Sequence, residues 1–426
     1  MLLQPLRIHN RREIVYGEVW RNGMKPDYIV DGVYRVAAKV GSRDLFEGIW
    51  PIPDGVMLNS YVVLGQQKRA LIDLVKDWDG ALWTVFEQLD SLGMGPGGLD
   101  YIIINHMEPD HTGAMAQIVS RYPDAQILAS EKAVPLIKSF YKIEKNVRAV
   151  KDGETLVLGG KTLKFFMTPN IHWPETMMTY VEEDGVLFSC DGFGSYGRYA
   201  GCFDDELGAQ EKEHLKSETE RYYANIVSSF SAFVQRGIAK LKDLPIKVVA
   251  PSHGVVWRKN PNEIIDHYVR LASYMQGPRE KEVAIVWSSM YGNTEALLES
   301  IVEGIRSEGI EVHILQVPQT HASFVLEKVW RSEGLVIGMP TYEYKMFPPM
   351  YHILDILERS HVQGRKTLRF GSFGWSGGAQ KQFDVFSESM KLDYKGCIEY
   401  QGSPTAEDKE KAYNLAKAMA REIKEL

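Results

Sequence analysis

The chain has 426 residues, past the size at which one core keeps growing, so two domains are expected. Its 49 basic and 56 acidic residues leave a net charge of −7, which argues against a nucleic-acid-binding surface. Cys190, Cys202 and Cys397 are the three cysteines and form no CxxC, which argues against a disulfide framework, a four-cysteine zinc site or a rubredoxin-type iron site.

At the start, Arg7, Arg11 and Arg12 have no apolar stretch behind them, so no signal peptide is read. No run reaches the ~18 apolar residues of a membrane helix. Both points, with the few cysteines, predict a reducing internal compartment, the cytoplasm. Strands are predicted at Ile14–Val19, Val33–Val40 and Ser60–Val63, then Lys68–Ile72 after a turn at Gly65. A helix is predicted over Trp78–Leu92. Apolar strands followed by polar loops recur at Tyr101–Ile104, Leu163–Met167, Val186–Phe188 and Lys247–Ala250.

The loop after Tyr101–Ile104 reads Asn105-His106-Met107-Glu108-Pro109-Asp110-His111. His106, Glu108 and Asp110 alternate, so in an extended loop they project to one side. An imidazole and two carboxylates crowded together call for a cation. His172, Asp191 and His253 each lie just past one of the later strands. Loops at one sheet edge can bring such residues together. Zinc accepts this donor set, and a carboxylate-rich set with open positions also suits iron. The order resembles the metallo-β-lactamase fold, where HxHxDH precedes a His, an Asp and a last His. Glu108 stands where the hydrolase pattern has its second histidine. His9, His214, His267, His313, His321, His352 and His361 lack such context and read as ordinary surface or packing residues.

The character changes at Gln276-Gly277-Pro278-Arg279, a boundary signal that divides the chain into 1–277 and 278–426. Beyond it strands and helices alternate. Val283–Trp287, Val312–Val317, Leu335–Met339, Leu368–Phe373 and Ile398–Gln401 read as strands. Glu295–Arg306, Ser323–Arg331, Met350–Leu357, Gln380–Met390 and Glu407–Glu425 read as helices. This predicts a doubly wound parallel sheet with ligands beyond the carboxyl ends of its strands. Three loops fall there. Ser289-Met290-Tyr291-Gly292-Asn293-Thr294 offers N–H groups and hydroxyls to a phosphate at a helix start. It matches neither GxxxxGK[ST] nor GxGxxG. Pro340-Thr341-Tyr342-Glu343-Tyr344 and Phe373-Gly374-Trp375-Ser376-Gly377 combine aromatics with small polar residues, which suits a flat ring.

HxExDH with the later His, Asp and His, followed by these three loops, resembles the flavodiiron proteins over nearly the whole chain. The resemblance implies an α/β chain: an N-terminal metallo-β-lactamase-like αββα sandwich plus a C-terminal flavodoxin-like doubly wound parallel sheet. It implies two iron ions and FMN. One iron would be held by His106, Glu108 and His172 and the other by Asp110 and His253, with Asp191 bridging. His111 is expected beside the site rather than on a metal. The first of the three loops would take the FMN phosphate and the other two its ring. The implied reaction reduces dioxygen to water or nitric oxide to nitrous oxide. The chain, ending in the helix to Leu426, shows no electron entry module. An external donor is therefore expected, rubredoxin or a reduced deazaflavin. A head-to-tail homodimer, or a dimer of dimers, would face each FMN to the neighbour's iron pair, and Phe46–Pro53 is expected at the site's cover or an interface. The competing readings are a zinc hydrolase with a flavodoxin-like regulatory domain, and a plain electron carrier.

Overall fold

The computed structural model describes residues 25–41 and 44–426, so the strand expected at 14–19 lies outside the described residues. Asp27–Val30, Val33–Val40, Val56–Leu64, Arg69–Ile72, Tyr101–Ile104, Gln126–Ser130 and Val147–Val150 form a seven-stranded sheet in that order. Its first four strands pair antiparallel and its last four are parallel. Thr155–Val157, Thr162–Met167, Met177–Val181, Val186–Cys190 and Val248–Pro251 form a second, five-stranded sheet.

One apolar cluster lies between these sheets. Tyr61, Val63, Ile72, Ile103 and Leu128 from the first meet Phe165, Met177, Phe188 and Ala250 from the second. Alternation along each strand sends the other side chains outward, onto helices such as Ala81–Ser91 and Pro261–Ser273. The product is the expected αββα sandwich. The first helix is shorter than the periodicity suggests, because Gly80 at its start takes φ 78, outside helical geometry.

The five strands Glu311–Gln316, Glu280–Trp287, Ser332–Gly338, Lys366–Phe373 and Asp393–Gln401 form an all-parallel sheet in that order. In chain order this is 2-1-3-4-5, the flavodoxin-like winding, whose switch point lies between the first and third strands. Leu298–Arg306 and Ala406–Glu425 cover one face, with Ile301, Ile305, Ala416 and Ile423 in its core. The strands are longer at their amino ends than predicted, because residues such as Glu280 and Lys366 are polar yet still pair. Among the described residues no helix is long and apolar enough to cross a membrane.

The two regions touch along Ala322–Arg331. Trp330 Nε1 donates to the Leu271 carbonyl at 3.0 Å, and Arg331 pairs with Glu220 at 2.7 Å. The buried Arg221 guanidinium donates to Ser323 Oγ at 2.9 Å and to the Pro51 carbonyl at 2.8 Å.

Candidate functional site

Four strand ends deliver the site. Tyr101–Ile104 leads to His106, Thr162–Met167 to His172, Val186–Cys190 to Asp191 and Val248–Pro251 to His253. Cys190 takes φ 52, a left-handed conformation that turns the chain off its strand just before Asp191. The extended-loop expectation holds only as far as Glu108. Pro109, with φ fixed near the helical value, starts the short helix Pro109–Thr112, which turns Asp110 and His111 away from that line.

The result is two donor sets sharing Asp191. On one side, Asp191 Oδ2 lies 3.4 Å from His106 Nε2 and 3.2 Å from His172 Nε2, and Glu108 Oε2 lies 3.4 and 2.9 Å from the same two atoms. On the other, Asp191 Oδ1 lies 2.8 Å from His111 Nε2 and 3.4 Å from His253 Nε2. Asp110 completes this set, 3.4 Å from His111 and 3.1 Å from His253. His111 was expected beside the site; its Nε2 instead stands among the donors of the second set. The helix begun at Pro109 puts it there.

The donors fit a pair of cations. Both Asp110 oxygens and His253 Nε2 are buried without hydrogen-bond partners. Such orphans cost stability unless something binds them. The charges point the same way. Burial pulls the His106 and His253 imidazoles down, but facing carboxylates outweigh it and push both up to about 10. His111 and His172 rise to about 9 against the same burial, through Asp110 and Asp191 in one case and Asp191 and Glu108 in the other. Burial raises the Glu108 and Asp191 carboxyls, yet the histidines hold both below the usual carboxylate range. Without metal, protons must fill the place of cations.

A cavity of about 200 Å³ opens over the donors, lined by Phe46, Glu47, Lys76, Trp78, Glu108 and Asp110 among others. Phe46 packs its ring 5.3 Å from that of His253, and Leu45 to Gly48 line the cavity, so the start of the 46–53 segment covers the site within its own chain. Trp50 Nε1 donates to Glu47 Oε2 at 3.0 Å. Glu47 is exposed by area but closely surrounded, and this crowding, with the charge of Glu108, pushes its carboxyl up to about 7.

The three loops of the second region converge at the carboxyl ends of its strands. Gly292 N–H donates to Ser289 Oγ at 3.0 Å, and Tyr400 O–H to the Asn293 carbonyl at 2.8 Å. Thr294 is buried, its hydroxyl 3.1 Å from that of Ser372, so it anchors the loop. Pro340 leads into a small hairpin, Thr341–Tyr342 paired with Lys345–Met346, where two extra strands replace the expected loop. Glu343 and Tyr344 turn it with φ 46 and 62, as a two-residue primed turn requires. Phe373 ends its strand, and the Gly374 carbonyl accepts from Gln401 at 2.8 Å. Trp375 Nε1 donates to the Tyr344 hydroxyl oxygen at 3.1 Å, and Ser376 and Gly377 continue the loop. The aromatics are left open: Tyr291 is 88%, Trp375 73% and Tyr344 60% exposed, with Tyr342 and Met290 exposed beside them. Such a set of uncovered rings is free to meet a ligand or a partner.

Residues 56–254 match the family described as ODP family beta lactamase. A nitric oxide reductase of Moorella thermoacetica is 31% identical over 94% of this chain and 99% of its own length. The chain belongs to the flavodiiron protein family. Among solved structures, the rubredoxin oxygen:oxidoreductase of Desulfovibrio gigas superposes with a TM-score of 0.88 at 27% identity, covering 94% of this chain and 99% of that one. The flavodiiron protein of Giardia intestinalis gives 0.88 at 27%, covering 94% and 97%. The Moorella and Desulfovibrio proteins are named as a reductase and an oxidoreductase, which sets aside the hydrolase reading.

Sequence reasoning missed two residues that shape this flavodiiron site. Glu175 hydrogen-bonds the outer nitrogen of His106 at 2.8 Å. Asp73 takes the Asn105 N–H at 2.7 Å and its amide at 3.0 Å, which fixes the residue before His106. Burial pushes the Asp73 carboxyl up to about 6. A signal existed for Glu175: it is an acid three residues after His172, in a segment otherwise short of charge. Asp73 offered none, since an acid after a strand is common.

Proposed function

We propose that this flavodiiron protein reduces dioxygen to water, nitric oxide to nitrous oxide, or both, at a pair of iron ions held by the two donor sets. One iron is assigned to His106, Glu108 and His172, the other to Asp110, His111 and His253, with Asp191 between them. The observation that carries this is the division of Asp191, one oxygen toward each set. Bound iron supplies reversible one-electron chemistry and open positions for a small oxidant. The chain supplies the rest. The carboxylates offset the charge of the cations, and the Phe46–Pro51 cover limits the space over the donors to about 200 Å³, enough for a diatomic gas.

FMN is assigned to the three loops of the second region. The 289–294 loop takes its phosphate, and Tyr342, Tyr344 and Trp375 flank its ring. Residues 1–277 and 278–426 are read as the iron and flavin domains. Electrons come from an external carrier, rubredoxin or a reduced deazaflavin. The protein works in the cytoplasm as a head-to-tail homodimer, or a dimer of dimers. Support for a rubredoxin donor is the likeness to the Desulfovibrio gigas enzyme.

Metal and flavin analysis of purified protein tests the assignment. Iron as a pair, with one FMN per chain, is expected. Zinc in place of iron contradicts it.

A further inference from the structure

The two donor sets differ in what stands behind them. Glu175 and His106 are both fully enclosed, and Glu175 Oε1 lies 2.8 Å from His106 Nδ1. That oxygen also accepts the Met107 N–H at 2.9 Å, and Thr176 Oγ1 stands 3.3 Å from Nδ1. Ser130 Oγ donates to the Glu175 carbonyl at 2.6 Å, which fixes its backbone. Glu175 Oε2 has no hydrogen-bond partner, so the carboxylate is committed to His106 and Met107 through one oxygen.

Behind His253, in the other set, stands a neutral group. His253 Nδ1 lies 3.1 Å from the Met57 carbonyl oxygen. The remaining buried acid nearby, Asp73, uses both oxygens on Asn105. His172 is flanked by the rings of Phe230 and Trp173. Among the described residues, His106 alone of the four site histidines has a carboxylate on its outer nitrogen.

A carboxylate behind an imidazole draws on its Nδ1 proton and makes Nε2 the stronger metal donor, more than a carbonyl does. Stronger anionic donation favours the higher oxidation state. We infer that Glu175 is a positioning residue that makes the iron pair electronically unequal, so that the iron at His106, Glu108 and His172 is oxidised before its neighbour. With iron bound, the step would be one-electron: ferrous iron would become ferric and give its electron to the oxidant, the gas in turnover or a mediator in a titration. This rests on the iron assignment above.

The test compares iron-loaded wild-type protein with Glu175→Gln, which keeps the shape and an accepting oxygen but loses the charge, and with Glu175→Asp. Each is poised anaerobically at stepped potentials and read by Mössbauer and electron paramagnetic resonance. Wild-type protein is expected to pass through a half-oxidised state with the ferric ion on one site. Glu175→Gln raises the first potential, by about 59 mV for a tenfold loss of ferric preference. It also weakens iron retention against a chelator about 10–100-fold. Glu175→Asp recovers part of both. If Glu175→Gln keeps the wild-type first potential and chelator resistance, the inference is wrong. If wild-type protein takes up no iron pair, the functional reading fails first, and the inference with it.

Discussion

Asp191 is where the site is most sensitive to one atom. Its two oxygens face different donor sets, so replacing either with an amide nitrogen turns an acceptor toward imidazoles into a donor. Asp191→Asn is therefore expected to cost more than the about 10–100-fold in metal affinity typical of a lost supporting group. Iron analysis after dialysis checks this; full iron retention contradicts it. The histidines make a second prediction. In the metal-free fold His106, His111, His172 and His253 sit at about 9 to 10, against an ordinary 6.5. These raised values add stability that is complete below about pH 6.5 and is lost as pH rises through about 9 to 10. Glu108 and Asp191, held low, act in the opposite sense, and their contribution is lost in acid. Melting curves of metal-free protein should fall above about pH 9, while those of iron-loaded protein hold, because metal has replaced the protons. Equal alkaline losses with and without metal would contradict this.

At the scale of elements, the loops do the positioning. Gly378 closes the gap between the 373–377 loop and the hairpin: a Cβ there would lie 2.1 Å from the Tyr344 carbonyl oxygen. Gly378→Ala must push the hairpin away, and with it Tyr344 and Trp375. Flavin content should drop severalfold while iron content stays, as absorbance and metal analysis of the same sample would show. The strands and helices that frame these loops were legible in the sequence. Tyr101–Ile104 is found where its four apolar residues predict it, and the alternation after Glu280 yields the expected winding. The six residues read from HxExDH and its later partners do meet, but from strand ends of both sheets: His106, Glu108 and Asp110 follow a strand of the first sheet, and His172, Asp191 and His253 follow strands of the second. Two features were not legible in the sequence. Pro109 began a helix where an extended loop was expected, and that one turn carried His111 into the donor set. Glu175 lay close to His172 in the sequence, but its partner, His106, lies 69 positions away, and so long-range a pair is not read from local pattern.

For the molecule as a whole, the two regions meet along Ala322–Arg331. Trp330 is 1% exposed, meets Tyr223 across the contact and donates to Leu271. Trp330→Ala should cost about 3–5 kcal/mol, the usual range for emptying such a site, measured by chemical denaturation. A change near zero would mean that the regions are stabilised independently of this contact. The head-to-tail proposal makes its own prediction: Asp191→Asn chains mixed with flavin-depleted Gly378→Ala chains should show more activity in hybrid dimers than the two show apart. No recovery would place flavin and iron transfer within one chain. The central claim is tested most directly by reducing the iron- and FMN-loaded protein without air and following its reoxidation by dioxygen and by nitric oxide in separate stopped-flow mixes. Rapid reoxidation of flavin and iron together by at least one gas, without peroxide release, is the predicted result. Flavin that reoxidises slowly, releases peroxide and leaves the iron reduced would contradict it.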